Sequence, residues 1–208
     1  MLRIVLFAVS FLLAATAMAQ DMIERAENFK TYIPGMESIN GREIDYPSER
    51  DFIEAERIFG LSFKDYWGKI NNSAVFVGEV EFRLMNLFQC RGKKLDQFIN
   101  PIPEKMAEMR LNYLTKECAY EEGVEEYEKL GLQHFLWLNN HKGMLESLDK
   151  MTVVIFSGFS LFLEESENGV TSSPMIFFDG QEWTVGWHDN STFAINNFIA
   201  VGKKIIDE

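Results

Sequence analysis

The chain has 208 residues, with 20 Lys and Arg against 32 Asp and Glu, and its formal net charge is −12. This charge argues against nucleic acid as a partner, because a protein that binds phosphates needs a basic surface. Hydrophobic residues make up 47% of the chain and charged residues 25%, a composition typical of globular proteins rather than disordered or membrane-embedded ones. The length then predicts one globular domain.

Residues 1–19 have the pattern of a cleaved signal peptide. Arg3 gives a positive start, residues 4–15 are almost entirely apolar, and Ala17-Met18-Ala19 supplies the small residues that precede a cut. The apolar run is shorter than the roughly 20 residues that span a bilayer, so cleavage is expected rather than a membrane anchor. Cutting after Ala19 leaves a single domain at residues 20–208 without a membrane span.

Export determines how the rest of the chain is interpreted. The mature domain has 189 residues, and its net charge is −13 because Arg3 is removed. The short signal with its Ala-Met-Ala end is typical of bacteria, so a periplasmic or secreted location is predicted. Cys90 and Cys118, the two cysteines of the chain, are expected to form a disulfide in that oxidising compartment. Closing the loop between them would stabilise the fold by about 3 kcal/mol.

Helices are predicted in the first two thirds of the chain. Apolar residues at helical spacing, with capping or stop residues, mark the ranges 21–32, 48–59, 62–70, 104–122 and 123–138. Pro34-Gly35 ends the first of these and Gly60 the second. Residues 74–90 fit either a helical face or a strand that places Glu81 and Arg83 outward, and the β-branched start favours the strand.

The last third changes character. Runs of β-branched and aromatic residues predict strands at 152–156, 160–164, 174–178 and 182–187. Asp179-Gly180 lies between the last two runs and indicates an antiparallel hairpin. From Ile195 to Ile206 apolar residues recur with helical period, so a closing C-terminal helix is expected.

The order of these elements predicts an α+β fold. N-terminal helices would pack on a C-terminal antiparallel sheet of three or four strands, with the closing helix against it. NTF2-like and cystatin-like domains have a comparable order, and the analogy rests on element order alone.

The usual signatures of enzymes and cofactor sites are missing from the sequence. It has no H-E-x-x-H, G-x-S-x-G, C-x-x-C, P-loop or G-x-G-x-x-G pattern, so no cofactor is expected. His134 and His141 would share one face of an unbroken helix, and with Glu146, five residues further on, they could hold zinc. Asn and Gly residues at 139–143 interrupt that helix, so no metal site is predicted.

One short constellation stands out as a candidate ligand site. In a strand, Trp183 and Trp187 share one face, and His188 lies on the other face, next to Asp189. The two indole rings could form a stacking wall, and the carboxylate could tune the charge of the imidazole. The alternative, which we favour, is that both Trp residues belong to the core and His188-Asp189 leads into a polar turn.

Two functional hypotheses follow. The first is a non-catalytic exported binding protein, whose partner is a basic protein or a small ligand; the dense acidic stretch at residues 117–128 supports it by favouring association with positive charge. The second is an extracytoplasmic hydrolase using His188 with Asp189, or a pair of carboxylates, in an aromatic pocket. The missing catalytic motifs favour the first hypothesis.

Overall fold

The computed structural model describes residues 17–33, 49–63, 70–72, 79–86, 127–162, 171–190 and 194–205. Helix α1 runs through residues 17–27, α2 is Glu49–Phe59, α3 is Leu132–Asn140, and a 3₁₀ helix follows at Lys142–Ser147. The strands are β1 Lys30–Ile33, β2 Ile70–Asn72, β3 Val80–Asn86, β4 Glu128–Lys129, β5 Val153–Ile155, β6 Phe159–Phe162, β7 Thr171–Phe178, β8 Trp183–Asp189 and β9 Asn197–Lys204.

These nine strands form one mixed sheet. The order is β1-β3-β9-β5-β7-β6-β2, with β4 also beside β9 and β8 also beside β7. Every pairing is antiparallel except that of β5 with β9, which is parallel. The sheet is therefore larger than the sequence predicted, and the expectation of a purely antiparallel sheet was wrong.

The helices lie over one face of this sheet and enclose the main core. Met22, Ile23 and Ala26 of α1 and Ala55 of α2 pack in one buried cluster with inward residues of β3, β5 and β9. Helix α3 is buried on nearly every side, from Leu132 through Leu136 and again at Leu138. The α+β class predicted from the sequence is confirmed: α1 and α2 from the N-terminal half, together with α3, cover strands that come mainly from the C-terminal half.

The opposite face of the sheet is also buried in part. Met85, Ile155, Ile199 and Val201 form a second apolar cluster there, with Met175 and Tyr127 against it. Strand β9 therefore contributes apolar residues to both faces, which is the burial expected of a central strand.

Several predicted elements are confirmed. Helix α2 ends at Gly60, whose φ of 65° is a left-handed conformation that glycine adopts at little cost. Strand β3 resolves the ambiguity at residues 74–90 in favour of a strand for 80–86. Strands β7 and β8 pair in register from Ser172 with Asp189 to Phe178 with Trp183, so the hairpin across Asp179-Gly180 is confirmed.

The prediction of a closing C-terminal helix was wrong. Residues 197–204 form β9 instead, which pairs with β3 from Phe198 to Lys204. The helical spacing misled because Phe198 and Ala200 face the main core while Ile199 and Val201 face the second cluster. With both faces apolar, the alternation that marks a strand disappears.

The predicted helix at residues 21–32 was wrong at its C-terminal end. The helix stops at residue 27, and Lys30–Ile33 form β1, in which Thr31 and Ile33 are buried and Lys30 and Tyr32 are exposed. The predicted 123–138 helix begins only at Leu132, because Glu128–Lys129 pair with β9 as β4. Ile70, the predicted end of the third helix, lies in β2.

Other predictions fall outside the described residues. These are the helix at 104–122, the disulfide between Cys90 and Cys118, and the hydrophobic part of the signal peptide. Among the helices that the structure describes, none is both long and apolar enough to cross a membrane.

Candidate functional site

The two tryptophans of β8 point toward the helical side of the sheet. Trp183, Val185 and Trp187 all belong to or pack against the main core, as the alternation in the strand predicted. The Trp187 ring lies 4.3 Å from the Phe59 ring of α2, centroid to centroid, at an angle of 34°. One face of the indole is thus already covered from within the fold.

Trp183 is more deeply buried, with 3% of its surface exposed. Its ring meets the Phe178 ring edge to face at 5.8 Å, and the ammonium of Lys150 lies 4.6 Å from the Phe178 centroid and 5.2 Å from that of Trp183. The same ammonium is 2.6 Å from Oε2 of Glu146. The exposed side chain of Lys150 therefore lies against the Trp183 end of the aromatic surface that the sequence offered to a ligand.

His188 faces the other side of the sheet and is 7% exposed. The side-chain amide of Asn197 donates to its Nε2 at 2.8 Å, so the neutral ring carries its proton on Nδ1. Burial lowers the pKa of His188, and this outweighs the opposing effects of a hydrogen bond with Asn190 and the charge of Asp189. The imidazole is accordingly neutral at pH 7.

Around His188 the structure gathers polar residues that the sequence analysis did not select. Ser173 is fully buried directly opposite His188 on β7, and Asn190 donates to the Ser173 hydroxyl at 2.9 Å. Asn190 also donates to the Thr171 hydroxyl at 3.3 Å. Polar residues at the starts of β7 and β9, directly before their apolar runs, were the signal that could have marked this cluster. Asp189, by contrast, is exposed.

The histidine pair considered for zinc is not brought together with Glu146. His134 lies inside the core, where the Gly131 amide donates to its Nδ1 at 3.4 Å, and burial lowers its pKa to about 3. His141 is exposed and stacks on Trp137 at 4.1 Å. Across the part of the chain that the structure describes, no three His, Cys, Asp or Glu side chains are placed to share a metal ion.

A charged cluster surrounds Glu81, at the edge of the face that carries the second apolar cluster. Lys30 and Arg83 contact its two carboxylate oxygens at 2.7 and 2.8 Å, and the Tyr127 hydroxyl donates to it. Burial alone would raise the pKa of Glu81, but hydrogen bonds from Lys30, Tyr127 and Arg83 together lower it to about 2. The cluster joins β1 to β3, since Lys30 is the cross-strand partner of Arg83.

Glu81 should therefore make the fold sensitive to acid. Because its folded pKa is below the ordinary value of 4.5, its contribution to stability is complete above that value and is lost as the pH falls toward 2. We expect Glu81→Gln to remove on the order of 1–3 kcal/mol at about pH 6 and to flatten the loss of stability between about pH 5 and pH 2. Urea unfolding across this pH range measures the free energy of unfolding of both proteins. The exposed neighbour Glu79 gives a matched control, and equal pH profiles for Glu79→Gln and Glu81→Gln would contradict the prediction.

Comparison with known proteins adds no relationship: no family model, no curated protein and no solved structure matches the chain.

Proposed function

We propose that this chain is an exported, non-catalytic protein that binds a basic protein partner. The observation that supports it is an excess of exposed acid on two surfaces. Asp21, Glu24 and Glu27 are exposed on α1, where Arg25 is the one cation in residues 17–27. On the β7–β8 hairpin, Asp179 and Glu182 are exposed at the turn, near Lys150, and Asp189 is exposed at the other end of β8. The segment 179–189 itself contains no Lys or Arg.

Exposed acidic side chains of this kind affect mainly the rate of association with a partner. A surface of one sign attracts a partner of the opposite sign before contact and raises the association rate, most strongly at low salt. The net charge of −12 extends this attraction over the whole molecule. A basic partner is therefore favoured over a neutral small ligand, which this charge would not steer.

The burial pattern of α1 is compatible with the proposed export. Ala17 and Met18 are exposed, whereas the residues of α1 that pack in the core are Met22, Ile23 and Ala26. A cut after Ala19 would leave every one of these core contacts in the mature chain. The NTF2-like or cystatin-like arrangement suggested by element order stays a prediction.

The hydrolase alternative has less support from the geometry. A general base must reach its substrate, but His188 is buried and its Nε2 already accepts a hydrogen bond from Asn197. The proposed aromatic pocket is occupied by Trp187 against Phe59 and by Lys150 against Trp183.

Capture from the extracytoplasmic extract of the host tests the proposal. The immobilised chain should retain one basic protein in stoichiometric amount at low salt and release it as the salt concentration rises. The chain isolated from the same extract should begin at Gln20. Retention of no protein, or binding that does not respond to salt, would contradict an acidic interaction protein.

Charge variants make this test sharper. Reversing Glu24 and Glu182 together to Lys should lower the association rate of the captured partner by about tenfold at low salt. Arg50→Gln on α2 is a control of opposite sign, because it removes an exposed cation and should leave the rate unchanged or raise it. Equal slowing by both variants would show that the effect is structural rather than electrostatic.

A further inference from the structure

A cleft lies between α1, the start of β1 and the 3₁₀ helix. Its volume is about 640 Å³, within the range of pockets that hold small molecules or short peptide segments. It is lined by Asp21, Glu24, Arg25, Asn28, Phe29, Lys30, Thr31, Met144 and Ser147.

The buried side of the cleft combines an aromatic ring, a thioether and a hydroxyl, and it is fixed by the core. Phe29 is partly buried and meets the Phe82 ring edge to face, at 5.8 Å and 89°. Thr31 is buried beside it, and its hydroxyl lies 4.0 Å from the sulfur of Met144. Aromatic and thioether groups offer a polarizable surface to an aliphatic chain.

The rim of the cleft is charged, and most of its charges are already paired. Arg25 contacts Asp21 at 2.8 Å on the same helix. Lys30 contacts Glu81 of β3 at 2.7 Å, so its charge is paired on the neighbouring strand. Within the part of the chain that the structure describes, no cation lies in ion-pair contact with Glu24, which is the remaining acid of the rim.

We propose that this cleft binds a lysine or arginine side chain of an extended basic segment in the partner, with its aliphatic stem on Phe29 and Met144 and its charge at Glu24. Long basic side chains combine an apolar stem with a charged end, and the cleft presents these two environments side by side. This inference rests on the proposed function, because it takes the basic character of the partner from there.

A defined probe tests the cleft without the partner. The tripeptide Gly-Lys-Gly, blocked at both ends, is titrated into the purified chain, and the amide resonances of residues 28–31 and 144–147 are followed by NMR. We expect these resonances to shift with the lysine peptide and not with its norleucine counterpart, which keeps the stem but lacks the charge. Absence of shifts up to the solubility limit of the peptide, or equal shifts with norleucine, would overturn the proposal.

Two variants separate the cleft from general electrostatic attraction. Glu24→Gln should lower the affinity for the lysine peptide by about two- to fivefold, the range expected for the loss of one exposed ion pair. Glu79→Gln removes the same charge from an exposed position beyond the Ile33 end of β1, away from Lys30, and should leave peptide binding unchanged. Ser147→Trp should abolish binding by filling the cleft from an exposed position of the 3₁₀ helix.

The outcomes distinguish this inference from the proposed function. If Glu24→Gln and Glu79→Gln weaken peptide binding equally, the attraction is general, so the cleft is not the site while a basic partner remains supported. If Ser147→Trp leaves capture of the partner and binding of the peptide intact, the cleft assignment is wrong. If neither the partner nor the peptide binds the unchanged chain, both proposals fail.

Discussion

Phe135→Ala is expected to destabilise the fold by about 3–5 kcal/mol, the cost of removing a large aromatic side chain from a packed core. Phe135 has no exposed surface and lies in the middle of α3. Its ring stacks on Phe59 of α2 at 5.3 Å and meets Phe156 edge to face at 5.6 Å. The substitution therefore leaves a cavity where α2, α3 and the sheet meet. Urea denaturation followed by circular dichroism measures the loss.

An exposed apolar residue provides the comparison. Ile53 on α2 is 59% exposed, so Ile53→Ala should change the free energy of unfolding by no more than about 0.5 kcal/mol. Phe135→Leu keeps most of the side-chain volume, so its loss in free energy of unfolding should fall between those of the two variants. A Phe135→Ala protein no less stable than Ile53→Ala would show that α3 does not lie at the centre of the core.

The same central position explains why α3 was poorly defined by the sequence. A helix that lies on a surface shows an apolar stripe, but Gln133, His134 and the leucines around them are all buried. The pattern at residues 132–138 therefore had no polar face from which to read a period. Helix α2, which keeps charged residues on its outer side, was predicted with nearly correct bounds.

The sequence predicted the part of the candidate site that the β7–β8 hairpin forms, but not the contacts it makes with segments distant in the sequence. Asp179-Gly180 defined the hairpin, and the hairpin placed Trp183 and Trp187 on one face and His188 on the other, as the structure has them. The contact between His188 and Asn197 depends on residue 197 being in a strand, which the sequence pattern did not show. Likewise the cleft beside α1 requires the 3₁₀ helix to meet β1, two segments more than 100 residues apart in the sequence.

Gly202→Ala is expected to destabilise the fold by about 1–3 kcal/mol, the usual cost of adding volume to a filled core. Gly202 lies in β9 between Phe82 of β3 and Glu128 of β4. A Cβ at this position would lie 2.6 Å from Cδ2 of Leu130 and closer still to Cγ1 of Val80. Val80 and Leu130 are themselves buried, and the branched Val80 has little rotamer freedom with which to move away.

Gly143→Ala is the matched control for this substitution. Gly143 lies in the 3₁₀ helix, and a Cβ there would meet no atom within 4 Å. The added methyl group should leave stability unchanged or raise it by up to about 1 kcal/mol, because it restricts the unfolded chain. Thermal and urea unfolding of both variants measure the difference, and equal stabilities would contradict the close packing of β9 between β3 and β4. A large difference would place Gly202, which the sequence pattern assigned to the closing C-terminal helix, in a tightly packed part of the sheet.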